Sequence, residues 1–138
     1  MPMDVTYLLI LKRLLLSVLL GGIIGLEREV HERPAGLRTN IIVCLASALI
    51  TLTSIYAFPN SDPTRIASAI VTGIGFLGAG IILQSKEKVK GLTSAATVWV
   101  VAGIGIAVGS GFYFGAIITT LIVFIFLTLK KLDVFFGA

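Results

Sequence analysis

Apolar residues along this chain gather into long blocks parted by short polar stretches, and the blocks have the length of membrane-crossing helices. Residues 5–26 form the first, broken only by Lys12 and Arg13; residues 41–58, 66–83, 93–109 and 112–129 follow. Crossing an apolar layer about 30 Å thick takes about 20 helical residues. The pattern therefore predicts an all-α polytopic membrane protein with about five transmembrane helices, one domain over residues 1–138 with no separate soluble part. A secretory signal in the first block is disfavoured, because no small-residue cleavage site follows it. Residues 14–26 alone would reach only about 20 Å, so the whole block is taken as the first span.

Within the blocks, polar and small residues recur at helical spacing. Arg13, Ser17, Gly21, Gly25 and then Arg28 or Glu29 follow at steps of three or four, making one narrow face, with Gly21 and Gly25 in GxxxG spacing. Helix packing is the preferred use of this face and a substrate-lining surface the alternative. The second block carries Asn40, Cys44, Ser47, Thr51 and Ser54 as a polar stripe along its length. Interhelical hydrogen bonding is preferred there to a hydrated pathway. In the third block Gly73, Gly75, Gly78 and Gly80 crowd together, read first as close helix packing and second as a place where backbone is offered to a ligand. Gly105 and Gly109 repeat the GxxxG spacing in the fourth block, which opens with Thr93 and Ser94 as candidate caps. Phe112, Tyr113 and Phe114 stand where an aromatic belt is expected, and the fifth block is apolar enough to face lipid more than the others. Residues 58–65 (FPNSDPTR) read as a tight turn with Asp62 and Pro63 starting the next helix.

Charge is concentrated in residues 25–40, GLEREVHERPAGLRTN, which predicts that this stretch sits in water or at the headgroup boundary. With 57% hydrophobic and 13% charged residues, the composition lies far from that of soluble domains, which are about 25% charged. Arg28, Arg33, Arg38, Lys86, Lys88, Lys90, Lys130 and Lys131 fall on one side of five spans, so the amino terminus is expected outside and the carboxyl terminus in the cytoplasm. A net charge of +4 spread over loops suits contact with the lipid bilayer and not nucleic-acid binding.

No Asp or Glu falls inside a predicted span, which speaks against cation transport by this chain alone. Glu27, Glu29 and Glu32 are the carboxylates open to a hard metal ion, weak candidates because ion pairing with Arg28, Arg33 and Arg38 is the simpler reading. His31 is a candidate pH-sensitive group. One cysteine, Cys44, and one histidine cannot make a disulfide framework or a zinc cluster. No nucleophile with its base and no phosphate loop is visible, so no enzymatic activity and no cofactor are expected.

Three stretches, GGIIGLEREVHERPAGLRTNIIV at 21–43, VTGIGFLGAGIIL at 71–83 and VKGLTSAATVWVVAGIGIAVGSG at 89–111, resemble the MgtC/SapB family of bacterial inner-membrane proteins. The family patterns G-L-E-R-E, A-G-L-R-T, G-I-G-F-L-G-A-G and G-L-T-x-A-A fall on residues 25–29, 35–39, 73–80 and 91–96, with Ser94 where threonine is usual. Arg13 matches a basic position in the family's first span. The resemblance marks Arg13, Glu27, Arg28, Glu29, Arg38, Thr39, Asn40, Gly73, Gly75, Gly78, Gly80, Gly91, Thr93 and Trp99 as candidate functional positions, beside Gly21, Gly25, Gly105 and Gly109 for packing. Virulence members of the family continue into a cytoplasmic ACT-like domain, so this chain looks like a short, membrane-only member. The resemblance implies a role in adaptation to low Mg2+, acid or intracellular growth, by binding other membrane proteins, the ATP synthase among them. Two main readings result, beside a third in which the Glu27 to Arg38 loop senses cation or pH. One is a non-enzymatic accessory protein that associates through its glycine faces, with itself or with other membrane proteins. The other is a small oligomeric transporter or channel using the span-two stripe, the span-three glycines and Arg13.

Overall fold

The computed structural model describes residues 3–83 and 90–129. Lys86, Lys88, Lys130 and Lys131, used above to orient the chain, lie outside the described residues. Five helices follow one another: α1 Met3–Val30, α2 Leu37–Tyr56, α3 Pro63–Leu83, α4 Leu92–Ser110 and α5 Tyr113–Thr128, with no strand among the described residues. Four are long and apolar enough to cross a membrane; α5, at 16 residues or about 24 Å, is a shorter apolar helix. The protein is all-α and polytopic, as the hydrophobic blocks require.

The largest departure from expectation is at the end of α1. Instead of stopping at Leu26, the helix runs through Glu27, Arg28 and Glu29 to Val30, and the connection to α2 shrinks to residues 31–36. Glu27 and Arg28 are buried, 6% and 4% exposed, so part of the charged block lies within the bundle and not in water. A carboxylate therefore does stand inside an apolar helix, contrary to the reading of the spans. Burial is tolerated because the two charges neutralise each other locally.

α4 is the centre of the bundle and touches all the other helices. Its residues are apolar on every side, as suits the most buried of the candidate spans, although Trp99 and Gly103 reach its outer face. α2 packs between α1 and α4 through glycine. A Cβ at Gly21 would stand 2.7 Å from Cys44 Cβ, and one at Gly25 would stand 2.9 Å from Leu37 Cα. At Gly105 it would run into the Cys44 carbonyl, and at Gly109 it would lie 2.7 Å from the Ala48 carbonyl. These separations are below any real Cβ contact, so the three backbones meet face to face, as the two GxxxG spacings predict. Because Cys44 meets Gly105 and Ala48 meets Gly109, α2 and α4 run parallel, with α1 antiparallel to both.

The polar stripe of α2 is buried along its whole length, at Asn40, Cys44, Ser47, Thr51 and Ser54. Cys44 meets the Gly21 backbone of α1 in an interhelical hydrogen bond, as expected, but the other groups do not follow it. Thr51 donates to the Ser47 carbonyl in its own helix, Asn40 donates to Ala35 and Gly36 just before it, and the Ser54 hydroxyl has no partner among the described residues. Small size, more than polarity, is what the stripe contributes, since side chains this short let glycine backbones approach.

α3 departs from expectation in the other direction. A Cβ added at Gly73, Gly75 or Gly80 would meet no atom within 4 Å, and one at Gly78 would make only ordinary contact with Ala95. The glycine run is not the tightly packed seam its density suggested, and Phe76 beside it is 83% exposed. α5 exposes most of its apolar surface, as expected, but α3 is equally peripheral. A groove of about 420 Å³, walled by Ile42, Ile50, Ile66, Ile70 and Gly73, parts α3 from α2, while Ile74 joins α3 to the core beside α4.

The helix starts divide by chemistry. Asp62 accepts hydrogen bonds from the Thr64 amide and hydroxyl, and Pro63 opens α3, as read from the turn. Neither Thr93 nor Ser94 caps α4; Gly91 holds that place with φ +86°, and makes no side-chain cap.

Replacing Gly105 or Gly21 by valine should cost about 1–3 kcal/mol in detergent unfolding, whereas Gly73→Ala should leave stability level or raised. Thr64's hydrogen bonds hold the Asp62 carboxyl below its ordinary range, so the stability it lends is present above that range and is lost as pH falls through the folded-state value. The protection of the Thr64 and Arg65 amides, measured against the intrinsic exchange rate at each pH, should accordingly fall in acid more than that of amides in α4.

Candidate functional site

The buried charges gather where the end of α1, the start of α2 and the start of α4 meet. Arg28 lies on the face that Ser17, Gly21 and Gly25 begin, so it and not Glu29 continues that face into the bundle. Its Nη2 donates to Ser94 Oγ of α4 at 3.0 Å, and its Nη1 lies 3.5 Å from Glu27 Oε2. Glu27 Oε1 is also 3.1 Å from His31 Nδ1, which is 2.8 Å from the Glu27 carbonyl oxygen as well. Arg28 Nε is buried with no partner among the described residues.

Glu29 has a different task. Its Oε2 accepts the Leu37 amide at 2.8 Å, so a carboxylate on α1 satisfies the first turn of α2 and favours its dipole. A Cβ at Gly36 would meet Glu29's carboxylate, so glycine there leaves that side chain free to hold the Leu37 amide. Between them Glu32 and Ala35 hold φ of +51° and +57°, a conformation that costs side-chain-bearing residues about 1–2 kcal/mol each. The Asn40 amide secures this turn by donating to the Ala35 and Gly36 carbonyls at 2.7 and 2.9 Å.

At the opposite end of α1, Arg13 reaches the turn between α4 and α5. Its Nη1 donates to the Gly109 carbonyl at 2.9 Å and its Nε to the Tyr113 hydroxyl at 2.8 Å, while the guanidinium lies 5.7 Å from the Tyr113 ring centre. Gly111, at φ +85°, leaves the space this side chain needs.

Of the candidate positions, Glu27, Arg28, Glu29 and Asn40 thus converge on one end of the bundle, with Gly91 and Thr93 opening α4 beside Ser94. Arg38 and Thr39 do not join the cluster, nor does Trp99, which is exposed on the outside of α4. Gly73, Gly75, Gly78 and Gly80 lie apart on α3. Ser94 and Tyr113, the partners of the two α1 arginines, are the residues that reading the sequence did not pair with them. Spacing alone carries no signal for contacts 66 and 100 residues apart. The carboxylates do not fit a resident Mg2+, which takes several oxygen ligands in octahedral geometry. Glu27 faces Arg28 and His31, Glu29 faces an amide, and no group of three or more potential ligands forms among the described residues.

A bundle of apolar helices joined through glycine backbones, with an ion pair sealed into one end, defines a multi-pass membrane protein. The chain belongs to the MgtC family, whose model matches residues 14–133. It is 48% identical over 110 residues to Protein MgtC of Salmonella typhimurium, covering 80% of this chain and 47% of that protein. It is 42% identical over 125 residues to Protein SapB of Bacillus subtilis, covering 84% and 54%. To the putative magnesium transporter YhiD of Escherichia coli it is 41% identical over 126 residues, covering 83% and 59%. The chain thus spans about half the length of the curated relatives it matches. No solved structure matches it.

Arg28→Leu should lower stability by about 3–5 kcal/mol, because it strands the buried Glu27 carboxylate. Adding Glu27→Gln should recover part of that loss, and a double-mutant cycle in detergent unfolding would measure the coupling.

Proposed function

We propose that this chain is a non-enzymatic accessory protein of the bacterial inner membrane, supporting Mg2+ homeostasis or stress adaptation through contact with other membrane proteins. The observation that carries this reading is the closure of α1, α2 and α4 upon one another. The polar stripe that would line a pathway is pressed against Gly21, Gly25, Gly105 and Gly109, and its Asn40 and Thr51 bonds run back into local backbone. A single chain built this way offers association surfaces more readily than a conduit. α3 supplies one such surface, with glycines that its own bundle leaves uncovered. Partners are a second copy of the chain or another membrane protein, the ATP synthase being the candidate that the family resemblance supplies. The positive-inside bias favours the Arg28 end facing the cytoplasm and the amino terminus outside.

A second reading, an oligomeric transporter, is favoured by the name of the Escherichia coli relative, a putative magnesium transporter. In it several chains together would form the path that one chain closes.

Gly73→Leu and Gly80→Leu add bulk where the fold has open space, so they should leave thermal stability unchanged while impairing growth in low Mg2+. Unimpaired growth would remove α3 as the association surface. Mg2+ flux into liposomes holding the chain alone, abolished by Asn40→Ala, would replace the accessory role with transport.

A further inference from the structure

We propose that the Arg28 guanidinium and the first turn of α4 bind a phosphate group, supplied by an anionic lipid headgroup or by free phosphate. The site does not depend on the accessory role. A guanidinium carries five N–H donors, and a buried one left short of acceptors is costly. Among the described residues Arg28 has two acceptors, Ser94 Oγ at 3.0 Å and Glu27 Oε2 at 3.5 Å. The second is long against about 2.7–2.9 Å for a charge-assisted bond. Glu27 Oε1 is taken up by His31, so Glu27 offers Arg28 a single oxygen. The Nε–H is buried and unpartnered among the described residues, a donor that the protein itself does not use.

Ser94 is the third residue of α4, so its bond places the guanidinium within the turn whose backbone amides have no intrahelical acceptor. Gly91 provides no side-chain cap, whereas Asp62 does so for α3 and Glu29 for α2. Of these three helix starts, then, α4's alone receives no carboxylate cap among the described residues, and it is the one that holds the buried arginine. Amides of an open helix start combined with a forked cation are the donor set that phosphate oxygens take. Leu92 and Thr93 are exposed, which leaves the turn open on its outer side, and Lys90 stands exposed just before it. Arg33 is near enough to act on the charge of Arg28. Against these cations stands, among the described residues paired with Arg28, the carboxylate of Glu27, which a phosphate would displace.

The test uses the purified full chain in non-ionic detergent, with inorganic phosphate titrated against chloride at constant ionic strength and thermal unfolding as the readout. Phosphate should raise Tm in a saturable way. Arg28→Lys keeps the charge but loses the fork, and should move the midpoint to at least about tenfold higher phosphate. Glu27→Gln removes the competing carboxylate and should move it several-fold lower, a gain that a purely structural ion pair would not give. Nanodiscs of phosphatidylcholine, with and without phosphatidic acid, separate the sources. Arg28-dependent stabilisation by phosphatidic acid that abolishes the response to free phosphate assigns a lipid; a phosphate response persisting in both assigns the free anion. A wild-type chain indifferent to phosphate and to phosphatidic acid would overturn the site. So would midpoints unchanged by both substitutions.

Discussion

The structure depends on how closely the backbone of α2 can approach those of α1 and α4. Gly21 and Gly25 admit it on one side, Gly105 and Gly109 on the other, and the short side chains at Cys44, Ser47, Ala48 and Thr51 keep the seam thin. In a lipid environment this matters more than in water, because tail and side chain are equally apolar and only packing density distinguishes them. A single added methyl group at any of those glycines meets backbone or Cβ, not a side chain that can swing away. The seam therefore tolerates no compromise, and the three helices behave as one rigid unit against which α3 and α5 lean.

The two arginines of α1 close this unit at its ends. Arg28 reaches Ser94 and Arg13 reaches Gly109, pairs separated by 15 residues along each helix, or about 22 Å. Antiparallel helices of equal rise stay in register over that length, so the two clamps fix the axial position of α1 against α4. The family motifs take on physical meaning in this light. G-L-E-R-E supplies a close-approach glycine, a buried pair and the cap of the next helix, while A-G-L-R-T holds the strained turn that makes the cap possible.

Much of this was legible in the order of residues alone. The spans, the GxxxG seams at Gly21, Gly25, Gly105 and Gly109, and the Asp62–Pro63 helix start all follow from local spacing. What failed were inferences about partners. Nothing near Arg28 in sequence says that a helix 66 residues away will bring Ser94 to it, so a charged block looked like a solvated loop. The glycines of α3 show the converse error. Small residues permit close approach but do not compel it, and only the fold decides which permission is used. The hydroxyls of α2 were read as bridges because of their register, yet Thr51 finds its acceptor one turn back in its own helix.

The exposed charges on α1 carry a consequence for the surrounding lipid. Lys12 and Glu29 both face outward, and the helix between them rises only about 26 Å, less than the roughly 30 Å of an ordinary hydrocarbon layer. A bilayer meeting this rod must dimple inward, or the lysine must stretch its stem toward the headgroups. Where the bilayer dimples, Val5, Tyr7, Leu8 and Leu11 become an apolar collar among the headgroups; where the lysine stretches, they stay in the acyl region as part of the Val5–Val30 span. Lys12 thus stores a strain, in thinned lipid or in a stretched side chain, that grows with the thickness of the surrounding bilayer and owes nothing to any ligand or partner.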